Sequence, residues 1–161
     1  MRKPLLGVLV VITVLFGTAS SPAAAQQSGA PTVGSTISTR HAAVTLRAYR
    51  QVVTSRRPAE TAPAGKAVIA INVEICNTSG AALPVRRGQF FVATPELPLV
   101  FPAPTPNAPH PQLVTTRVAR GRCLRGWVSY FVPTGSRATS AIFQAGAMFT
   151  PTLHTWTIPT S

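Results

Sequence analysis

Acidic residues are almost absent from this 161-residue chain. It has no aspartate and three glutamates, Glu60, Glu74 and Glu96, against 15 lysines and arginines, and its formal net charge is +12. A glycosidase needs two carboxylates at a defined separation, and a calcium site needs several oxygen ligands. The composition therefore disfavours both classes of site, and it favours attraction to polyanions without specifying one.

Histidine and cysteine are also scarce. His41, His110 and His154 are far apart, and none is spaced with another His or Cys as a zinc motif requires. We therefore predict no metal site, no cofactor and no catalytic residue. Cys76 and Cys123 are the only cysteines, and in an exported chain such a pair most often forms a disulfide. Two free thiols are the alternative.

Long helical periodicity is the third absence. No segment keeps a 3.6-residue hydrophobic period, so we predict no long helix. Short alternating or apolar runs instead predict strands at residues 44–53, 66–76, 83–92, 112–118, 121–133, 138–144 and 153–158. We expect the third run to break near 86–88, a short edge strand at 97–101, and a hairpin between 121–133 and 138–144. Seven or eight such strands predict an all-β, two-sheet antiparallel sandwich.

The first 25 residues have the pattern of a secretory signal peptide. Arg2 and Lys3 precede an apolar run at 5–16, and residues 23–25 are alanines, a pattern that signal peptidase cuts. The apolar run is shorter than the roughly 20 residues that span a bilayer. We expect cleavage between Ala25 and Gln26, a flexible leader over 26–40, and a secreted domain over 41–161. This mature chain should have no membrane span, and we expect it to be a monomer.

Residues 121–133, GRCLRGWVSYFVP, are the stretch around which the other strands can be placed. Four arginines lie just before and inside it, Arg117, Arg120, Arg122 and Arg125. On one loop they would form a positive patch for sulfate, phosphate or uronate groups; the alternative is an ordinary solvated loop. Specific nucleic-acid binding would need aromatics interleaved with this charge, whereas we predict that Trp127, Tyr130 and Trp156 pack in the core.

Two stretches resemble a known family. They are VIAINVEICNTSG at 68–80 and GRCLRGWVSYFVP at 121–133, followed by a strand at 141–144. The pattern resembles the secreted immunogenic-antigen family of mycobacteria and related actinobacteria, and a broader exported Gram-positive domain of unknown function. The resemblance spans roughly residues 44–158. It implies an immunoglobulin-like β-sandwich, exported and without known catalytic residues. This sequence departs from the antibody form of that sandwich: its cysteines lie at the end of one predicted strand and before the start of another, so we expect the disulfide to tie strand ends.

Three functional hypotheses follow. The first is a non-catalytic binding domain, secreted or at the cell envelope, that meets an unknown protein or an envelope polyanion through its Arg-rich loops. The second is an enzyme or accessory subunit acting on envelope polymers, and the third is a structural domain with an uncovered sheet edge. A pocket where histidine and glutamate converge would favour the second, and a basic face without a pocket would favour the first.

Overall fold

The computed structural model describes residues 30–51, 62–105, 108–146 and 151–159, so the expected signal peptide lies outside the described residues. The described residues form nine strands: β1 (Thr36–Ser38), β2 (Ala42–Arg50), β3 (Lys66–Asn77), β4 (Leu83–Val85), β5 (Phe90–Ala93), β6 (Thr116–Val118), β7 (Cys123–Pro133), β8 (Ser140–Ala145) and β9 (Thr152–Thr157). The predicted all-β antiparallel sandwich is confirmed, with nine strands instead of seven or eight. None of these residues belongs to a helix long and apolar enough to cross a bilayer.

The large sheet has the strand order β1-β2-β3-β7, and all its pairings are antiparallel. Its longest pairing joins β3 to β7, from Lys66 opposite Pro133 to Cys76 opposite Cys123. Side chains alternate between the two faces of a strand, so one face of this pairing is apolar throughout. Its buried members are Ile69, Ile71, Val73, Ile75, Val128, Tyr130 and Val132.

The small sheet has the order β5-β8-β9 and closes the core from the other side. Phe90 lies opposite Phe143, and their rings stack with centroids 5.1 Å apart. Trp156 on β9 is buried in the same core, as is Tyr130 on β7, which confirms the core prediction for both residues.

The expected break in the third apolar run is confirmed by a 3₁₀ turn at Arg87–Gln89. Two hydrogen bonds between Arg86 and Gln89 stabilise the turn. The Arg86 N–H donates to the Gln89 side chain, and the Gln89 N–H donates to the Arg86 carbonyl. The turn separates β4 from β5, so that β5 belongs to the small sheet while β4 pairs with β6 in a separate two-stranded ribbon.

The predicted disulfide is present, with Cys76 and Cys123 directly opposite each other in the large sheet. Cys76 is the penultimate residue of β3 and Cys123 is the first of β7. The bridge therefore ties the ends of two neighbouring strands of one sheet, in contrast to the inter-sheet disulfide of antibody domains.

The predicted hairpin between 121–133 and 138–144 is wrong. β7 pairs only with β3 among the described strands, and β8 lies in the other sheet between β5 and β9. The free edge of β7 is instead covered by the proline-rich segment between β5 and β6, described over residues 94–105 and 108–113. The Trp127 N–H donates to the Pro111 carbonyl, the Leu113 N–H donates to the Trp127 carbonyl, and the Ala103 N–H donates to the Ser129 carbonyl.

The stretch 26–40, expected to be a flexible leader, contains an ordered strand at β1. Thr36 lies opposite Thr45 on β2, and the two hydroxyls are 2.7 Å apart. Just before this strand, the Pro31 carbonyl accepts a hydrogen bond from Thr157 on β9. Alternation explains the difference, because Ile37 packs against the core between two polar residues.

Gly126 allows the proline-rich segment to approach β7. A Cβ at this position would lie 2.5 Å from the Leu113 nitrogen and 2.6 Å from its Cα, which are both backbone atoms. We expect Gly126→Ala to lower the free energy of unfolding by roughly 1–3 kcal/mol, because the segment must shift to admit the methyl group. Urea unfolding measures this change. Gly88→Ala is the matched control, since a Cβ there meets nothing within 4 Å; equal stability of the two variants would contradict the interpretation.

The disulfide closes a loop with a sequence separation of 47. Replacing both cysteines by alanine should lower the free energy of unfolding by at most about 4 kcal/mol, because the unfolded chain regains the entropy of the open loop. Denaturant unfolding with and without reductant tests this, since reductant should destabilise the native protein and leave the double variant unchanged. Free thiols detected in the unmutated protein, after it is unfolded without reductant, would argue against the bridge.

Candidate functional site

A tight turn between β1 and β2 presents two basic side chains at one end of the sandwich. The Thr39 hydroxyl organises this turn: it donates to the Ala42 carbonyl at 3.0 Å and accepts from the Ala42 N–H at 3.0 Å. Arg40 and His41 lie at the tip and are both exposed. Because β2 continues directly into the large sheet, the position of this tip is set by the sheet.

The tip borders a cavity of about 540 Å³ between the two sheets. Ala42 and Ile75 line it from the large sheet, and Phe143 and Ala145 line it from the small sheet. These four residues occupy inward-facing positions, where larger side chains would fill the core. Two of them are alanines, so the space between the sheets stays open at this end. The remaining lining residues are Thr39, Arg40, His41, Leu83, Pro84, Val85, Gln89, Gly146, Thr152 and His154.

His154 brings a second imidazole to the cavity that His41 borders. It lies directly opposite Phe143 in the β8–β9 pairing, with the two rings stacked at a centroid distance of 6.3 Å. No carboxylate lies among the described residues that line the cavity. The histidine–glutamate convergence that would favour an enzyme is therefore not seen in this part of the chain, and a basic face without a pocket is not seen either.

A second cavity of about 610 Å³ adjoins the first and shares three lining residues with it, Pro84, Gln89 and Gly146. Its further walls include Phe91 and Phe101, whose rings meet edge to face at 5.3 Å. Phe91 and Gln144 alternate along their strands with the core residues Phe90 and Phe143, so this second cavity lies against the outer face of the small sheet and not between the two sheets.

The four candidate arginines occupy three different places. Arg120 and Arg122 are exposed in the turn before β7, which Gly121 closes with a φ of +68°. This turn is bonded to the end of β3, since the Asn77 N–H donates to the Arg122 carbonyl and the Gly121 N–H donates to the Asn77 carbonyl. The backbone N–H of Thr78, the residue after Asn77, donates to the His41 carbonyl at 3.1 Å. Arg120 and Arg122 thus lie at the same end as the cavity.

Arg117 and Arg125 belong to strands. Arg117 is exposed on β6 opposite Pro84, which borders both cavities. Arg125 points to the outer face of the large sheet, where its Nε donates to the buried Asn72 side chain at 2.8 Å. The sequence spacing of the four arginines therefore does not correspond to one loop, and Arg125 has a structural partner.

The outer face of the large sheet holds the one ion pair found among the described residues, Arg47 with Glu74. The Arg47 guanidinium donates to both carboxylate oxygens of Glu74 at 2.8 Å. These hydrogen bonds hold the pKa of Glu74 below its ordinary value, with nearby Arg125 adding a smaller electrostatic effect. The other described carboxylate, Glu96, accepts a hydrogen bond from the Ser136 hydroxyl, in the turn that follows β7.

Trp127 also lies on this outer face, so the prediction that it packs in the core is wrong. Arg50 covers its ring at 4.9 Å from the centroid, and the side chain is half-buried. Trp127 is outward because it pairs with Asn72, whereas Ile71 and Val73 on either side of Asn72 point to the core face. The guanidinium over the ring is a cation–π contact.

One group of possible metal ligands occurs among the described residues, Glu74, Cys76 and Cys123, with ligand atoms within 4.8 Å of one another. Both sulfur atoms are bonded to each other in the disulfide. The oxidised protein therefore offers no thiolate at this place, and we assign no metal site to it.

Sequence reasoning missed the cavity and the fact that both His41 and His154 line it. The two histidines are far apart in the sequence and no spacing motif links them; His41 directly precedes β2, and His154 lies within β9. The sequence feature that could have indicated the cavity is a small side chain at two inward-facing positions, Ala42 in β2 and Ala145 in β8. It identifies a cavity only when the two sheets are known to meet there.

Comparison with known proteins gives a fold and no family. No family model matches the chain, and no curated protein matches it significantly. Solved structures do match, among them the yjhA protein of Bacillus subtilis (12% identity, TM-score 0.61, 80% of this chain and 99% of that one). A functionally unknown protein from Listeria monocytogenes is similar at 11% identity and a TM-score of 0.58, over 82% of this chain and 85% of that one.

A third similar structure is the ycdA protein of Bacillus subtilis, a candidate lipoprotein, at 16% identity and a TM-score of 0.56. The match covers 75% of this chain but only 37% of that protein. Identities this low show a shared fold and nothing more about function.

The ion pair on the outer face predicts a pH dependence of stability. A carboxylate whose folded pKa is depressed stabilises the protein above its unfolded pKa, and this contribution is lost as the pH falls through the folded value. For Glu74 the unfolded pKa is the ordinary 4.5. The difference in free energy of unfolding between native protein and Glu74→Gln should thus be constant at neutral pH and decline below 4.5. Urea unfolding across pH 3–7 measures it.

Arg47→Gln is the control for this prediction. In that background Glu74→Gln should show a much weaker pH dependence, because Arg47 is the main cause of the lowered pKa. An unchanged pH dependence would assign the effect to other groups.

Proposed function

We propose that this protein is a secreted, non-catalytic recognition domain that acts at the cell envelope or outside it, and that it binds an anionic partner at the cavity end of its sandwich. One observation carries the proposal. Arg40 and His41 border a cavity that no described carboxylate lines, and two further arginines, Arg120 and Arg122, are exposed at the same end of the sandwich.

The charge arrangement supports an anionic partner. Glu74 is engaged by Arg47 on the outer face, and Glu96 is bonded to Ser136, so neither described carboxylate offsets the positive charge around the cavity. Arginine guanidinium groups favour carboxylate and phosphate partners through paired hydrogen bonds. A surface of one sign also raises the local concentration of an oppositely charged partner.

The disulfide and one structural neighbour support the location. Disulfides persist in oxidising compartments outside the cytoplasm, and Cys76 and Cys123 form one here. The ycdA protein, a candidate lipoprotein, has a similar fold. The signal-peptide pattern at residues 1–25 and the resemblance to secreted mycobacterial antigens point the same way.

The two histidines favour the rival hypothesis, an enzyme or accessory subunit acting on envelope polymers. Histidine is the most frequent general acid or base in enzymes, and both imidazoles border one cavity. Release of soluble fragments from purified cell walls, abolished by His154→Gln, would support an enzyme and contradict the non-catalytic proposal.

Co-sedimentation of the mature protein with envelope fragments over a salt series tests the binding proposal. We expect binding that weakens as salt rises, because screening shortens the reach of surface charge. Arg40→Gln, Arg120→Gln and Arg122→Gln should each weaken binding by roughly two- to fivefold, the worth of one exposed charge pair.

Lys66→Gln is the matched control, because it removes the same charge at the opposite end of the β3–β7 pairing. It should bind like the native protein. Equal losses in all four variants would mean that only net charge matters, and binding insensitive to salt and to every variant would contradict the proposal.

A further inference from the structure

We infer that the cavity binds a free long-chain fatty acid, with the acyl chain along its apolar walls and the carboxylate at the basic mouth. The inference rests on the proposed function, since it names a ligand class for the same end of the sandwich. Two features carry it: the apolar walls and the charge at the mouth.

The walls are suited to an alkyl chain. Ile75 and Ala42 on one sheet face Phe143 and Ala145 on the other, and Leu83 and Val85 of β4 close the side. Apolar area removed from water by a ligand contributes about 25 cal/mol per Å². A volume near 540 Å³ lies within the roughly 300–1,000 Å³ typical of small-molecule sites.

The mouth favours an anionic head group. Arg40 and His41 lie at the tip of the β1–β2 turn, and His154 lies on the opposite wall. No described residue at the cavity carries negative charge, so a carboxylate arriving there meets donors and no repulsion. A neutral alcohol of the same chain length would gain the wall contacts and lose the charge-assisted hydrogen bonds.

Isothermal titration of the full mature protein with hexadecanoate below its micelle concentration tests the inference, with hexadecanol as the uncharged ligand of equal length. We expect saturable binding of about one hexadecanoate, and hexadecanol weaker by about tenfold. The double variant Arg40→Gln with His41→Gln should weaken hexadecanoate by about tenfold and leave hexadecanol nearly unchanged.

Filling the cavity provides the second test. Ala145→Phe places a ring on the inward face of β8 and should weaken both ligands by about tenfold or more, because the chain loses its space. Leu153→Phe is the matched control, since it adds an aromatic ring on the outward face of the adjacent β9, where Leu153 is already exposed. Circular dichroism and thermal melting establish that each variant is folded.

The outcomes separate this inference from the proposed function. No saturable hexadecanoate binding, or equal binding by the Ala145→Phe and Leu153→Phe proteins, would overturn the fatty-acid site while leaving salt-sensitive envelope binding intact. Binding to phosphatidylglycerol vesicles without binding of free hexadecanoate would also overturn it, because the partner would then be a membrane surface. Hexadecanoate binding without envelope binding would support the site and contradict the polyanion partner.

Discussion

The pairing of β3 with β7 is the interaction on which the rest of this structure depends. It joins the two longest strands over eleven residue pairs, and the disulfide closes it at one end. Its inward face supplies Ile69, Ile71, Val128 and other buried core residues. Hydrogen-bonded pairing sets which side chains face inward, because a shift of one residue would move the whole apolar set to solvent.

The same pairing positions everything at the cavity end. β2 adds to the other edge of β3 and carries the Arg40–His41 turn. The end of β3 at Asn77 holds the Arg120–Arg122 turn through two backbone hydrogen bonds. The free edge of β7 is occupied by Pro111 and Leu113, which approach closely because residue 126 is a glycine. Basic side chains from distant parts of the sequence therefore meet at one end of the sandwich.

Charge is distributed unevenly over the molecule for a physical reason. Glu74 is held between Arg47 and Arg125 on the outer face of the large sheet, so positive and negative charge offset each other there. The cavity end has basic side chains and no described carboxylate around the opening. The high net positive charge of the sequence is thus concentrated beside the cavity between the two sheets.

The amino-acid sequence by itself determined the local features of this protein. Alternating and apolar runs predicted the strands, the Arg86–Gly88 stretch predicted a break, and two cysteines together with a signal-peptide pattern predicted the disulfide. Tertiary structure decided the rest. It placed β8 in the opposite sheet, turned Trp127 outward, separated Arg125 from Arg120, and brought His41 and His154 to one cavity. The local sequence pattern shows which side chains of a strand share a face. Which strands become neighbours, and where the sheets leave a gap, depends on contacts among residues distant in sequence.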